Sequence, residues 1–202
     1  MKNLSILFFA VLFIGCASFG AKTANDYLAK SEMYYKTGDL KASWNNAQKA
    51  LEKDPKAVSA YGIMGTILYD QGKYDEAIKY FEVLYQAGDK RSEVISALAA
   101  AYASKGSYGE ALKYVDEALT LNPSNLAALA TKGGIYYAKE QYPQAIDVYT
   151  KAIAILPSAL LYNARGAAYQ KMGKVQEALQ DYKAAGVEVE VIAGEEQAAE
   201  SK

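Results

Sequence analysis

The sequence predicts an all-α protein, a solenoid of five helical hairpins that follows an N-terminal export segment. Three observations lead to this prediction: a 34-residue period, apolar residues at helical spacing in both halves of each period, and glycine or proline where a turn is needed. A repeat of this length is typical of stacked supersecondary units, each of which buries its apolar face against its neighbours.

Two columns of small residues mark the period. The members of the first column are spaced by 34, 34, 34 and 33 positions: Ser43, Ala77, Ala111, Ala145 and Ala178. The second column consists of Ser31, Gly65, Ala99, Gly133 and Gly166. Small side chains at fixed positions allow two helix backbones to approach closely, and aromatic residues that recur in other columns fill the remaining space. The columns therefore predict tightly packed helix pairs.

Each period contains two helices and two turns. In the third period, the first helix has apolar residues at Ile95, Leu98, Ala99 and Tyr102, and the second has Tyr108, Ala111, Leu112 and Val115. Spacing of three and four residues places such side chains on one face of a helix. Glycine suits the positive backbone angle at a helix end, and proline stops a helix. The turn glycines are Gly38, Gly72, Gly106 and Gly173, and the closing prolines are Pro55, Pro123 and Pro157.

Together these columns resemble the tetratricopeptide repeat, which has aromatic, small and proline residues at fixed places in 34 residues. Five units fit the pattern, at 24–57, 58–91, 92–125, 126–158 and 159–192. The departures are local: Ala47 replaces a large residue, Glu140 replaces the turn glycine, and the fifth unit begins one residue early. The resemblance implies a right-handed solenoid whose first helices line a concave, protein-binding face.

The resemblance also implies which residues face that groove. The positions expected to bind a partner are Leu28, Glu32, Tyr35, Ile63, Thr66, Tyr69, Tyr137 and Asn163. Tyr35, Tyr69 and Tyr137 recur at one groove position, where they either anchor a peptide or stack between neighbouring units. The third and fourth units offer mostly small or uncharged side chains, among them Ser96, Ala100, Ser104, Ala130, Thr131 and Gly134. These predict a shallow, neutral trough suited to an apolar ligand helix.

One family activity is excluded by residue identity. Repeat domains that clamp the C-terminal carboxylate of chaperones use lysine, asparagine and arginine in the groove. The corresponding residues here are Leu28, Glu32, Ile63, Glu93 and Ala97, and none of them matches. A carboxylate clamp is therefore not expected.

The composition argues against catalysis and metal binding. The 202 residues include no histidine and one cysteine, which removes the usual general base and a zinc site built from cysteine and histidine. The formal net charge of −1 gives no general attraction to nucleic acid. We therefore expect neither an enzyme, nor a cofactor, nor a nucleic-acid partner.

The first twenty residues have the anatomy of an export signal. Lys2 precedes an apolar run that is too short for a comfortable membrane span, which needs roughly 20 apolar residues. The run ends at Gly15 and Cys16 and resembles a bacterial lipobox, which predicts a lipid on Cys16. Cleavage after Gly20 and an uncleaved anchor helix are the alternatives. The tail over 193–202 is acidic and rich in alanine, and we expect it to be flexible.

The sequence as a whole predicts an adaptor that binds a protein partner at a bacterial cell envelope, in the periplasm or at the outer membrane, through a lipid anchor. Two other roles remain open: a carrier of a small hydrophobic ligand, and a structural solenoid that associates with itself. A closed apolar cavity would favour the carrier, and an open trough would favour peptide binding.

Overall fold

A computed structural model describes residues 22–187 of the chain. These residues form ten α-helices, and no strand occurs among them. The helices are α1 (Ala24–Lys36), α2 (Leu40–Lys53), α3 (Ser59–Asp70), α4 (Tyr74–Gln86), α5 (Ser92–Lys105), α6 (Tyr108–Leu121), α7 (Leu126–Ala138), α8 (Tyr142–Ile155), α9 (Ala159–Lys171) and α10 (Val175–Ala184). The predicted all-α class and the two helices in each repeat are thus confirmed. The export segment and the tail over 193–202 lie outside the described residues.

The described residues divide into two compact units, with the division between Met64 and Gly65 in α3. In the first unit, α1 packs against α2. The two helices cross at Ser31 and Ser43, which are both fully buried. Each serine hydroxyl donates a hydrogen bond to the other residue's carbonyl oxygen, at 2.7 and 2.8 Å. Where serine replaces glycine or alanine in the two small columns, the two buried hydroxyls are therefore hydrogen-bonded at the helix crossing.

In the second compact unit, each helix from α4 to α9 packs against the next one in the chain. In addition, α5 contacts α7, and α7 contacts α9. We call α5, α7 and α9 the inner row, because these first helices of successive hairpins touch one another, and α6, α8 and α10 the outer row. The core of this unit lies between the two rows.

The turn column adopts the left-handed conformation that its glycines predict. Gly72, Gly106 and Gly173 have φ values of 74°, 89° and 70°. Glu140 occupies the same column in the fourth repeat and takes φ 59° despite its side chain. The position in the repeat therefore decides this backbone conformation, and Glu140 adopts it at some cost in strain.

The Asn125 side chain joins two helices of the inner row. It caps α7 by accepting a hydrogen bond from the Ala128 amide, and its amide group donates to the Ser92 hydroxyl at 3.0 Å. Ser96 lies beside this pair and is 2% exposed. The expectation that Ser96 faces the groove is therefore wrong, because this hydroxyl is turned into the contact between α5 and α7.

Two other features bear on function. No helix in the described part of the chain is long and apolar enough to cross a membrane. Among residues 22–187, no group of histidine, cysteine, aspartate or glutamate side chains is arranged to hold a metal ion.

Candidate functional site

A trough of about 340 Å³ runs along the inner row of the second unit. Its floor is made of small residues from α5 and α7, namely Ala100, Ala103, Ala130, Gly134 and Ala138, with Ile135 beneath them. Tyr69 and Tyr108 form its walls, and Ser104 and Thr131 supply hydroxyls. None of these side chains carries a charge. We call this surface the inner trough; its chemistry suits an apolar partner surface rather than an ion.

Tyr69 is held in place from two sides. Its hydroxyl lies 3.0 Å from the Ser104 hydroxyl, and its ring centroid lies 5.4 Å from that of Tyr74. Tyr137 packs in the same way, with its ring 5.5 Å from that of Tyr142. Each tyrosine therefore rests on the first residue of the second helix in its own hairpin. These two ring contacts lie within one hairpin, whereas the Tyr69 hydroxyl reaches Ser104 of the next repeat. Whether the rings anchor a peptide stays a prediction.

The predicted partner-binding residues fall in both compact units. In the first unit, α1 carries partly buried Leu28 and Tyr35 and exposed Glu32, and α3 carries partly buried Ile63. In the second unit, Thr66, Tyr69, Tyr137 and Asn163 are all partly buried. Of these four, the inner trough includes only Tyr69. The roles of the eight residues in partner binding stay predictions.

Sequence reasoning placed Ala100, Ser104, Ala130, Thr131 and Gly134 in the trough but missed several of its residues. Tyr108 is expected on the packed apolar face of its helix, yet it also forms a wall. Ala103, Ile135 and Ala138 were missed as well. Helical spacing carried a signal for Ala138, because it lies four residues after Gly134 and hence on the same face.

Asn163 does not line the inner trough and has a buried polar atom. The oxygen of its side-chain amide is buried and has no hydrogen-bond partner within the described part of the chain. An unpaired buried acceptor of this kind costs about 1–3 kcal/mol. Asn163 corresponds to Ala130 in the preceding repeat, which lines the trough. The register therefore places this polar group on the face of α9 that continues the trough side of α7.

Tyr149 of α8 packs against the α7 backbone at Gly133, the residue before Gly134 of the inner trough. It is 5% exposed, and its ring lies directly under Gly133 of α7. Burial, with a smaller contribution from Tyr137, raises the pKa of Tyr149 to about 12. The hydrogen bond to Glu82 likewise raises the pKa of Tyr102 above its usual range. Both hydroxyls are therefore protonated throughout the neutral range.

These shifts predict a loss of stability at alkaline pH. The folded pKa of Tyr149, about 12, exceeds the unfolded value of about 10, so its contribution is complete below pH 10 and is lost as the pH rises toward the folded pKa. The free energy of unfolding should fall over this range by about 1.4 kcal/mol per pH unit for each such tyrosine. Tyr149→Phe should make the fall less steep in urea unfolding at several pH values. Equal slopes for the two proteins would contradict this assignment.

Three protein-family models match overlapping parts of the chain. Residues 28–92 match a model described as tetratricopeptide repeat, and residues 133–173 match one described as TPR repeat. Residues 70–152 match the model of subunit 3 of the anaphase-promoting complex, or cyclosome. No curated protein sequence matches the chain.

Several solved structures have the same fold. MamA is 24% identical, with a TM-score of 0.63, over 84% of this chain and 96% of that one. TTC0263, a thermophilic TPR protein of Thermus thermophilus, is 19% identical, with a TM-score of 0.71, over 88% and 98%. YrrB, described as a TPR protein with an unusual peptide-binding site, is 22% identical, with a TM-score of 0.60, over 80% and 84%. At these identities the likeness shows the fold alone.

Proposed function

Because this chain is a tetratricopeptide-repeat protein, we propose that it is a non-catalytic adaptor that holds a protein partner in the inner trough at a bacterial cell envelope. The partner contributes a helix whose contact face is apolar and uncharged. The fold commonly mediates contacts between proteins, but a shared fold does not carry a partner from one protein to another. The chemistry of the trough is therefore the main support for this assignment.

The observation that carries the proposal is the small, charge-free floor between two tyrosine walls. A helix is about 10–12 Å across with its side chains, so it can approach closely only where the facing residues are small. Ala100, Ala130 and Gly134 provide such a surface. Bulky aliphatic side chains of the partner would then enter the space between Tyr69 and Tyr108.

The form of the trough favours a protein segment over a small ligand. The trough opens to solvent and is not an enclosed cavity. Because the hydroxyl of Tyr69 is engaged by Ser104, the ring stands as a fixed apolar wall. A rigid aromatic wall loses little conformational entropy when a partner binds, which makes it a good anchor.

Placing a charged side chain in the floor of the inner trough tests whether the partner binds there. Ala130→Arg should weaken partner binding by about 30-fold or more, equivalent to about 2 kcal/mol, because the guanidinium would be desolvated without a counter-charge. The measurement is cross-linking in native membranes, followed by purification and mass spectrometry of bound proteins. Tyr69→Ala and Tyr137→Ala would be tested in parallel.

Ala154→Arg is the matched control, since Ala154 is exposed on α8 and lies outside the trough. Thermal melts should show that both arginine variants are folded. A single abundant partner that is lost with Ala130→Arg and retained with Ala154→Arg supports the adaptor. A partner retained equally by both variants would exclude the trough as its binding site.

The location at the envelope is a separate part of the proposal and rests on the first twenty residues. We assign Cys16 as the lipid-bearing first residue of the mature protein, held at the membrane by acyl chains. Cys16→Ser should abolish incorporation of labelled palmitate and release the protein from membranes, because a spanning helix is not expected to replace the anchor. Intact-mass spectrometry of the mature protein distinguishes the alternatives. A mature chain that begins at Ala21 and lacks lipid would establish ordinary cleavage after Gly20.

A further inference from the structure

A second groove lies on the opposite side of α7 from the inner trough. Its volume is about 590 Å³. The floor is formed by Leu129 and Tyr136 of α7, and the sides by Leu119 of α6 and Val148 of α8. At 3.6 residues per turn, Leu129 and Tyr136 project from the face of α7 that is turned away from Ala130 and Gly134. We call this surface the outer groove.

The same position in the preceding repeat is filled by aromatic rings. Thirty-four residues before Leu119 and Val148 stand Tyr85 and Tyr114, whose rings meet edge to face with centroids 5.5 Å apart. The ring of Tyr102, the counterpart of Tyr136, stacks on Tyr114 at 5.6 Å. Glu117 accepts a hydrogen bond from the Tyr85 hydroxyl at 3.0 Å. Aromatic side chains of this repeat thus occupy the space between α4 and α6.

Two carboxylates and a lysine surround the tyrosine rings of the preceding repeat. Glu82 accepts a hydrogen bond from the Tyr102 hydroxyl at 2.7 Å. The Lys90 ammonium lies over the ring of Tyr85. The preceding repeat therefore shows which chemistry fits between two outer helices on this scaffold: packed tyrosine rings, with carboxylates that accept hydrogen bonds from their hydroxyls and a lysine over one ring face.

The following repeat closes the same position with an ion pair. In that repeat, Arg165 takes the position of Lys132, and Asp181 takes the position of Val148. The Arg165 guanidinium donates two hydrogen bonds to the Asp181 carboxylate, at 2.8 and 2.7 Å, and one to the Thr150 hydroxyl at 3.0 Å. It also lies 5.9 and 5.8 Å from the ring centroids of Tyr162 and Tyr169. Polar and aromatic groups of the chain again take up the space.

In the outer groove itself, both large rings are replaced by smaller aliphatic residues, Leu119 and Val148. The charged residues stay at the rim, where Lys132 pairs with Asp116 and Lys151 with Asp147, each at 2.7 Å. Lys151, Asp116 and Asp147 are each more than half exposed. Exposed ion pairs contribute little stability, so Lys151 can turn toward a ligand at small cost. The Lys132 side chain is 23% exposed and already lies at the groove.

We propose that the outer groove binds aromatic side chains, tyrosine or tryptophan, of a protein partner, which take the place of the rings present in the preceding repeat. Leu119 contacts the partner's ring, together with the small exposed parts of Leu129 and Val148, which are each 6% exposed. Tyr136 stacks on the ring, and the ammonium groups of Lys132 and Lys151 lie against it. The site is independent of the inner trough, so the scaffold has two binding faces.

The test uses the mature full-length chain with selectively labelled methyl groups and N-acetyl-tyrosinamide as the probe. The methyl signals of Leu119, Leu129 and Val148 should shift and saturate with a dissociation constant on the order of 1 mM. N-acetyl-leucinamide should bind about three- to tenfold more weakly, because it lacks the ring. An acetylated pentapeptide with tyrosine between alanines should bind more tightly than the single-residue amide.

The double variant Leu119→Tyr/Val148→Tyr restores the chain's own rings and should abolish the shifts caused by the probe. If that variant does not melt cooperatively, the single variant Leu119→Tyr serves the same purpose, because Leu119 is only partly buried. Ala154→Arg is the control and should bind the probe as the native chain does. The absence of shifts in the groove methyls, equal binding of the leucine amide, or undiminished binding by the refilled variant would overturn the proposal. Equal affinity of peptide and amide would overturn the assignment to a protein partner.

Discussion

Replacing Asp181 with alanine is expected to lower the free energy of unfolding by about 3 kcal/mol, the low end of the range for a buried ion pair that loses one partner. The Asp181 side chain is 4% exposed and that of Arg165 is 16% exposed. Their two hydrogen bonds at 2.7 and 2.8 Å hold α10 against α9. The carboxylate raises the pKa of Arg165, mainly through these hydrogen bonds. The guanidinium still stays charged when the carboxylate is removed, because arginine is protonated throughout the neutral range without a partner.

The cost arises because the variant leaves a largely desolvated cation with Thr150 as its remaining hydrogen-bond partner. Urea unfolding followed by circular dichroism measures the effect. Asp147→Ala provides the comparison, since the pair of Asp147 and Lys151 is more than 60% exposed on both sides. That variant should change the stability by no more than about 0.5 kcal/mol. Similar losses for the two variants would show that burial of the ion pair is not what stabilises the last hairpin.

Replacing Gly133 with alanine is expected to destabilise the fourth hairpin by about 1–3 kcal/mol. A methyl group at this position would lie 2.5 Å from one carbon of the Tyr149 ring and 2.8 Å from two others. Tyr149 is 5% exposed and packed in the core, so its ring has little room to move away. The gain in helix propensity from glycine to alanine, about 1 kcal/mol, offsets only part of this overpacking.

The adjacent residue supplies a matched control. A methyl group on Gly134 would approach only the Tyr149 hydroxyl, at 3.8 Å, which is ordinary van der Waals contact. Gly134→Ala should therefore stabilise the protein by up to about 1 kcal/mol through helix propensity alone. Thermal and urea unfolding of the two single variants would compare them directly. Equal stability of the two variants would contradict the close approach of α7 to Tyr149.

Some contacts between helices recur from one repeat to the next, and others do not. The close approach of a small residue to an aromatic ring recurs in the second unit, at Gly65 with Phe81 and at Gly166 with Tyr182. The ion pair of Arg165 and Asp181, in contrast, corresponds to a tyrosine network two repeats earlier and to an open groove in the repeat between them. The repeat pattern therefore specifies the helix crossings, while the space between outer helices is filled differently each time.

The sequence by itself determined the number of helices, the positions of the turns and the small residues at the crossings. These features depend on neighbours three or four residues apart and on a period that many columns share. For the same reason, the register was enough to locate Glu140 in the turn column, where it adopts a positive φ value. The register also placed Ala100, Ala130 and Gly134 together on one surface.

Only the tertiary structure decided that Ser96 is buried against Asn125, that Tyr69 and Tyr137 rest on Tyr74 and Tyr142, and that the outer groove is open between two filled ones. Each of these depends on the sizes and rotamers of side chains that belong to different helices. A periodic pattern assigns a residue to a face of its own helix. The period does not say which residues of other helices will lie against that face. Close packing with those residues decides whether the face meets a ring, a salt bridge or empty space.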